Sequence, residues 1–89
     1  MPDLPVIPLE GPLTMRTVGA VLDRTLPEGD WILDMTAIGE ADSAALALLL
    51  EWLRQTRERG GSFVVRGLPP GLRSLADLYG LDEVLPVGA

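Results

Sequence analysis

The sequence contains no cysteine and no histidine, and each absence excludes a class of protein chemistry. Without cysteine the chain has no disulfide, no thiolate metal ligand and no thiol nucleophile. Without histidine it has no His-based catalytic triad. The carboxylates that remain do not cluster along the sequence as a metal site or an acid–base pair would require. We therefore expect no catalytic residues, no metal and no other cofactor.

Lysine is missing too, since all seven basic residues are arginine, and the formal net charge is −6. So few cations cannot neutralise a phosphate backbone or an anionic lipid surface, so we expect neither nucleic acid nor lipid as a direct partner. The longest apolar run, residues 44–50, is far shorter than the ~20 residues that span a bilayer. Residues 1–4 lack the features of a signal peptide, and we expect a cytoplasmic protein.

The length of 89 residues predicts a single domain over residues 1–89. Apolar runs and breaker residues alternate along it. They predict strands at residues 4–9, 31–36 and 62–66. They also predict a first helix that Thr14 caps and that runs through Leu26, a second from residue 42 or 43 to Gly60, and a third around residues 72–79 that Gly80 ends. A terminal turn at residues 81–86 is predicted to pack back onto the domain. This order predicts an α/β fold with right-handed crossovers and a small, mainly parallel sheet.

Two strands and one helix carry more specific expectations. The prolines of the first strand predict a position at the sheet edge. In the second strand, residues 31–35, apolar and polar residues alternate too little for one face to be fully exposed to solvent. This pattern predicts a sheet covered by helices. In the last helix the spacing of Leu72, Leu75, Ala76 and Tyr79 predicts one buried stripe.

The segment from Gly39 to Leu50 joins the second strand to the longest helix. Asp42 or Ser43 is a natural N-cap for that helix, because a side-chain oxygen can accept the unpaired N–H groups of its first turn. The Gly60-Gly61 pair supplies a left-handed residue to end it. Asp34 and Asp42 are the carboxylates nearest this corner, where we expect them to accept hydrogen bonds from the loop and the helix.

The first two turns of this helix are apolar on all sides. Leu46, Leu49, Leu50 and Leu53 form the stripe predicted to face the sheet. Leu48 lies about 160° away from Leu46 at 100° per residue. Either a neighbouring helix or the terminal segment covers Leu48, or this side docks a partner. We favour a docking face, and we place in it Asp42, Ser43, Ala44, Ala47, Leu48 and Glu51. An unfilled apolar face also predicts weak self-association of the free chain.

Three segments resemble a STAS domain: LEGPLT at residues 9–14, Leu33-Asp34-Met35, and ADSAAL at residues 41–46. This is the fold of anti-sigma factor antagonists and of regulatory modules on anion transporters. The further runs LALLL at 46–50, SLADLYGL at 74–81 and Leu85-Pro86 are similar to the MlaB group, the small cytoplasmic STAS subunits of Mla phospholipid ABC transporters. The resemblance covers residues 9–86 and implies three to four helices.

The resemblance implies a subunit that is not an enzyme. In that group the STAS protein binds the cytoplasmic ABC ATPase and supports a complex that maintains lipid asymmetry, so it lies at the inner membrane through its partner. The hydroxyl after the motif aspartate, here Ser43, is important for this contact. Ala45 stands where STAS motifs usually have glycine. By comparison with the family we also expect the domain to be shortened at its N-terminus, without the strand that usually pairs with residues 4–9.

Two other functions remain open. The first is an anti-sigma factor antagonist that binds a serine kinase. In that family the phosphorylated hydroxyl is the second residue after the aspartate, and here that residue is Ala44, which cannot accept phosphate. The second is an interaction module with a different partner, which the sequence cannot separate from a transporter subunit because both need only an apolar docking face.

Overall fold

The computed structural model describes residues 3–81 and 83–88, in which strands and helices alternate along the chain. The strands are β1 (Val6–Leu13), β2 (Trp31–Ala41) and β3 (Phe63–Arg66). The helices are α1 (Val18–Leu22), α2 (Ser43–Glu58) and α3 (Pro70–Leu78). This confirms the predicted α/β alternation. Met1, Pro2, Asp82 and Ala89 lie outside the described residues, and with them one residue of the predicted terminal turn.

The three strands form one parallel sheet in the order β1-β2-β3, with Val6, Ile32 and Val64 side by side. This confirms the prediction that β1 lies at a sheet edge. Two right-handed crossovers that run in the same direction place their helices on the same face of the sheet. In agreement, α2 contacts both α1 and α3. The helices therefore form one layer over one face.

The other face of the sheet is open, which corrects the expectation that helices cover the second strand fully. Trp31, Leu33 and Met35 are buried, whereas Ile32 and Asp34 between them are only half-buried. Ile32 is apolar, which suggested a covered face, but it lies on the open face in a cross-strand row with Val6 and Val64, each 42% exposed. Apolar neighbours on adjacent strands shield one another, so a strand can carry an apolar residue on its open face.

Aromatic packing joins the sheet to α2. The Trp31 ring stacks on Phe63 of β3 with 4.5 Å between centroids and meets Trp52 of α2 edge-on at 6.1 Å. Both geometries are favourable for aromatic pairs, which contribute about 0.5–1.5 kcal/mol beyond their buried area. This cluster fixes the side of α2 that contacts the sheet.

Helix α1 is shorter than the spacing of its apolar residues predicts. It begins at Val18, so the prediction that Thr14 caps it is wrong. The Thr14 carbonyl accepts the N–H groups of Thr17 and Val18, at 3.0 and 2.9 Å, and closes a turn ahead of the helix. Leu26 is buried as predicted but lies beyond the last helical residue, Leu22.

Strand β2 is longer than predicted and continues through Gly39 and Glu40 to Ala41. Its last residues pair with β1, where Leu13 lies opposite Ala41. The predicted corner is therefore not a loop, and Asp42 is the single residue between β2 and α2. This geometry brings the start of α2 next to the segment that follows β1.

The C-terminal segment packs back onto the sheet, which confirms that prediction for its described residues. The Val65 N–H donates to the Pro86 carbonyl at 2.7 Å, and the Gly88 N–H donates to the Val65 carbonyl at 2.9 Å. Leu85 is buried. The stripe predicted in α3 is confirmed for Leu72 and Ala76, which are buried, and for Leu75, which is partly buried. It is wrong for Tyr79, which lies one residue beyond the helix and is 58% exposed.

Candidate partner-binding site

The Asp42 carboxylate joins two segments at the start of α2. Its Oδ1 accepts the Ala44 N–H at 2.9 Å, which confirms Asp42 as the N-cap, and its Oδ2 accepts the Met15 N–H at 3.2 Å. The Asp42 N–H donates to the Leu13 carbonyl at 3.3 Å. One residue therefore caps α2 and ties it to the loop between β1 and α1.

Side-chain hydrogen bonds also hold that loop. The Thr14 N–H donates to Thr17 Oγ1 at 2.9 Å, and the Thr17 hydroxyl donates to the Pro12 carbonyl at 2.9 Å. The Arg16 N–H donates to Thr14 Oγ1 at 3.3 Å. The backbone on both sides of Met15 is thus fixed, while the Met15 side chain is 78% exposed.

An open depression of about 370 Å³ lies at this junction. It is lined by Thr14, Met15, Arg16, Glu40 and Asp42. Two carboxylates and one guanidinium border it, so its charge is negative overall. The sequence interpretation included Asp42 here but missed Glu40 and Met15. An apolar residue between polar ones in a short loop was the available signal for Met15.

Four of the predicted docking residues lie beside this depression or along the outer side of α2. Ser43 and Ala47 are exposed, and Ala44 and Glu51 are half-buried. The prediction that Leu48 belongs to an exposed face is wrong, because Leu48 is only 1% exposed. Its place is in the core cluster, to which α1 contributes Val18 and Val21. A neighbouring element therefore covers Leu48, as the alternative interpretation proposed.

Leu48 was misplaced because the buried side of α2 is centred on different residues from those of the predicted stripe. The buried residues of α2 are Ala45, Leu46, Leu48, Leu49, Trp52, Leu53 and Thr56. At 100° per residue their arc runs from Leu46 to Leu48 and has its centre about 80° from Leu46. Leu50, which the predicted stripe included, is half-buried on the other side.

Glu51 is held in hydrogen bonds within α2. Its carboxylate accepts from Arg54 Nε and Nη2, at 2.9 and 2.6 Å, and from Gln55 Nε2 at 2.9 Å. The hydrogen bonds from Arg54, followed by the one from Gln55, lower the pKa of Glu51 to about 2. Arg54 also donates to Glu58 at 2.7 Å, and the two carboxylates raise the pKa of its guanidinium. Glu51 is therefore ionised and oriented before any partner arrives.

Asp34 lies on the open face of the sheet and does not line the depression. Its Oδ1 accepts the Thr36 N–H at 2.9 Å and the Thr36 hydroxyl at 2.7 Å, and its Oδ2 accepts from Arg66 at 3.1 Å. The Thr36 hydrogen bonds, with a smaller contribution from Arg66, lower the pKa of Asp34 to about 2. Within residues 3–81 and 83–88 no group of three or more acidic side chains could hold a metal ion.

Comparison with known proteins identifies the family. The chain matches the family model described as "Mlab, STAS domain" over residues 2–86, which confirms the resemblance seen in the motifs. No curated protein matches it. None of the described helices has the length and hydrophobicity to cross a membrane. STAS domains of this kind are generally not catalytic. This small parallel α/β chain belongs to the MlaB group of STAS domains.

Proposed function

We propose that this protein is a non-catalytic STAS subunit that binds the cytoplasmic ABC ATPase of an Mla-type phospholipid transporter. It supports the assembly and activity of that complex in maintaining lipid asymmetry, and it lies at the inner membrane only through its partner. The observation that carries the proposal is the exposed Ser43 at the start of α2, within a family match of residues 2–86.

The start of α2 has the chemistry of a contact surface. Asp42 supplies the helix cap, so the cap does not need the Ser43 hydroxyl. Ser43 and Ala47 are exposed one turn apart, and Ala44 is half-buried beside them. Small side chains allow the backbone of a partner to approach closely. The ionised Glu51, one turn further on, adds an acceptor with a fixed position.

The test is co-expression with the ATPase and permease of the cognate transporter, followed by purification on a tag fused to this chain. We expect wild type to recover both proteins and Ser43→Arg to recover neither, because the arginine side chain would obstruct the contact. Ser74→Arg is the matched control, since Ser74 is also an exposed helical serine but lies on α3.

Circular dichroism and thermal melting separate a lost contact from a lost fold. Ser43→Arg should melt as wild type does, because its side chain is exposed. Recovery of the ATPase by Ser43→Arg at the wild-type level would show that the contact lies elsewhere. If wild type recovers a serine kinase of the anti-sigma type and no ATPase, the proposed function is wrong and the antagonist alternative is favoured.

A further inference from the structure

We propose that Met15 is the main apolar anchor of this docking surface, and that the partner meets it with an apolar pocket beside a cationic side chain. The inference rests on the proposed function. It adds a residue on a different segment from α2 and states the chemistry of the partner surface.

The exposure of Met15 is the first observation. At 78% it is the highest among the large apolar side chains of the described residues, and it occurs in a short polar loop. Leu78, at 76%, is comparable, but it is the last residue of α3 and does not line the depression that Met15 lines. Methionine is flexible and polarisable and fits irregular apolar pockets, which makes it common at binding surfaces.

The second observation is that the Met15 backbone is already ordered. Its N–H is bound to Asp42 Oδ2, and its neighbour Arg16 is bound through its N–H to Thr14 Oγ1. Binding then does not have to order the backbone at Met15. Interfaces whose backbone is fixed in advance lose less conformational entropy when they form, so an exposed apolar residue there contributes more to affinity.

The negative charge around the depression favours a partner whose surface carries positive charge. Glu40 and Asp42 border the depression together with one cation, Arg16, and the whole chain carries a net charge of −6. A second copy of this chain would bring like charge to the same place. A partner with a lysine or arginine at the rim of its pocket would be attracted, and complementary charges of this kind speed association.

The experiment measures binding of this chain to the purified cognate ABC ATPase by biolayer interferometry. Met15→Gln keeps the length of the side chain but makes it polar, and Met15→Leu keeps it apolar. We expect Met15→Gln to weaken binding about tenfold or more, as loss of a central anchor does, and Met15→Leu to retain most of the affinity. Leu78→Gln is the control for an equally exposed apolar residue and should bind as wild type.

The salt dependence of the association rate tests whether the partner surface is cationic. Glu40→Gln should slow association with the ATPase and make the association rate less sensitive to salt, because rim charges act mainly on the encounter of the two proteins. Association rates measured at low and high salt for wild type and Glu40→Gln give this difference directly. An unchanged salt dependence would overturn the cationic character assigned to the partner pocket.

The outcomes distinguish this inference from the proposed function. If wild type binds the ATPase and Met15→Gln binds equally well, Met15 is not the anchor and the proposed function stands. If wild type does not bind the ATPase, both are overturned. If Met15→Gln and Leu78→Gln weaken binding to the same extent, the effect is not specific to Met15 and the inference fails.

Discussion

Ala47 and Leu48 are neighbours in α2 whose side chains lie in opposite environments. Ala47 is exposed, and Leu48 is 1% exposed within the core cluster. We predict that Leu48→Ala lowers the free energy of unfolding by about 2–5 kcal/mol, because it removes buried methyl groups and leaves a cavity. Urea denaturation measures the change. Leu78→Ala is the matched control at an exposed helical leucine and should stay within about 0.5 kcal/mol of wild type. Equal effects of the two substitutions would contradict the burial of Leu48.

The sequence interpretation of single residues was least accurate at Leu48, for a physical reason. Helical periodicity shows that an apolar stripe exists, but a helix with many leucines allows more than one centre for it. The centre is set by Trp52, which meets Trp31 of the sheet, and by Thr56, whose polar side chain hid its buried position. Residues whose role depends on one local hydrogen bond were predicted better, as Asp42 shows.

The sequence correctly predicted the glycines that follow the ends of α2 and α3. Gly60 has a φ of 80°, and the Gly61 N–H donates to the Thr56 carbonyl at 3.0 Å, which is a Schellman ending. Gly80 ends α3 in the same way, with a φ of 71°. Such endings depend on local chain geometry alone. The start of β2 was also predicted correctly, but its length was not, because its last residues are held by pairing with β1.

Gly61 also lies against the turn that precedes β2, and this contact predicts how a larger residue at position 61 would change stability. A Cβ added at Gly61 would overlap the Gly29 carbonyl oxygen, and a backbone atom cannot move aside as a side chain can. We expect Gly61→Ala to lower the free energy of unfolding by about 1–3 kcal/mol, the usual effect of overpacking. Thermal melting with denaturant titration measures it.

The control for Gly61 uses a glycine with open space around it. A Cβ at Gly71, within α3, would meet nothing within 4 Å. Gly71→Ala should therefore raise the stability by about 0.5–1 kcal/mol, since alanine loses less conformational entropy in a helix than glycine does. If Gly61→Ala also stabilises the chain, the turns that contain Gly29 and Gly61 are farther apart than the structure places them.

At the scale of the whole molecule, the alternation of strands and helices predicted the fold class, but it did not predict the open face of the sheet. That face depends on the register that aligns Val6, Ile32 and Val64, which pairing between strands decides and no single segment encodes. The site shows the same limit. Asp42 was predicted from its own helix, whereas its bond to Met15 joins residues 27 positions apart.

The predicted self-association had Leu48 as its reason, and the burial of Leu48 removes that reason.

The stability of the molecule should depend on pH through two carboxylates held by hydrogen bonds. The pKa values of Asp34 and Glu51 fall from ordinary values of 3.8 and 4.5 to about 2 in the folded chain. A carboxyl whose folded pKa is lowered contributes its stability above the unfolded pKa and loses it as pH falls through the folded one. We therefore expect the free energy of unfolding to decrease as pH falls from about 4.5 to about 2.

Urea titrations at a series of pH values check this dependence, and the residues around Asp34 provide graded variants. Asp34→Asn combined with Glu51→Gln removes both titrating groups and should flatten the slope between about pH 4.5 and 2. Thr36→Val removes only the hydroxyl that donates to Asp34 Oδ1 and should flatten it in part. Ser74→Ala, an exposed uncharged change on α3, should keep the wild-type slope. If the double variant keeps the wild-type slope, the acid sensitivity arises from other carboxylates, and the hydrogen bonds of Asp34 and Glu51 contribute nothing measurable to folding.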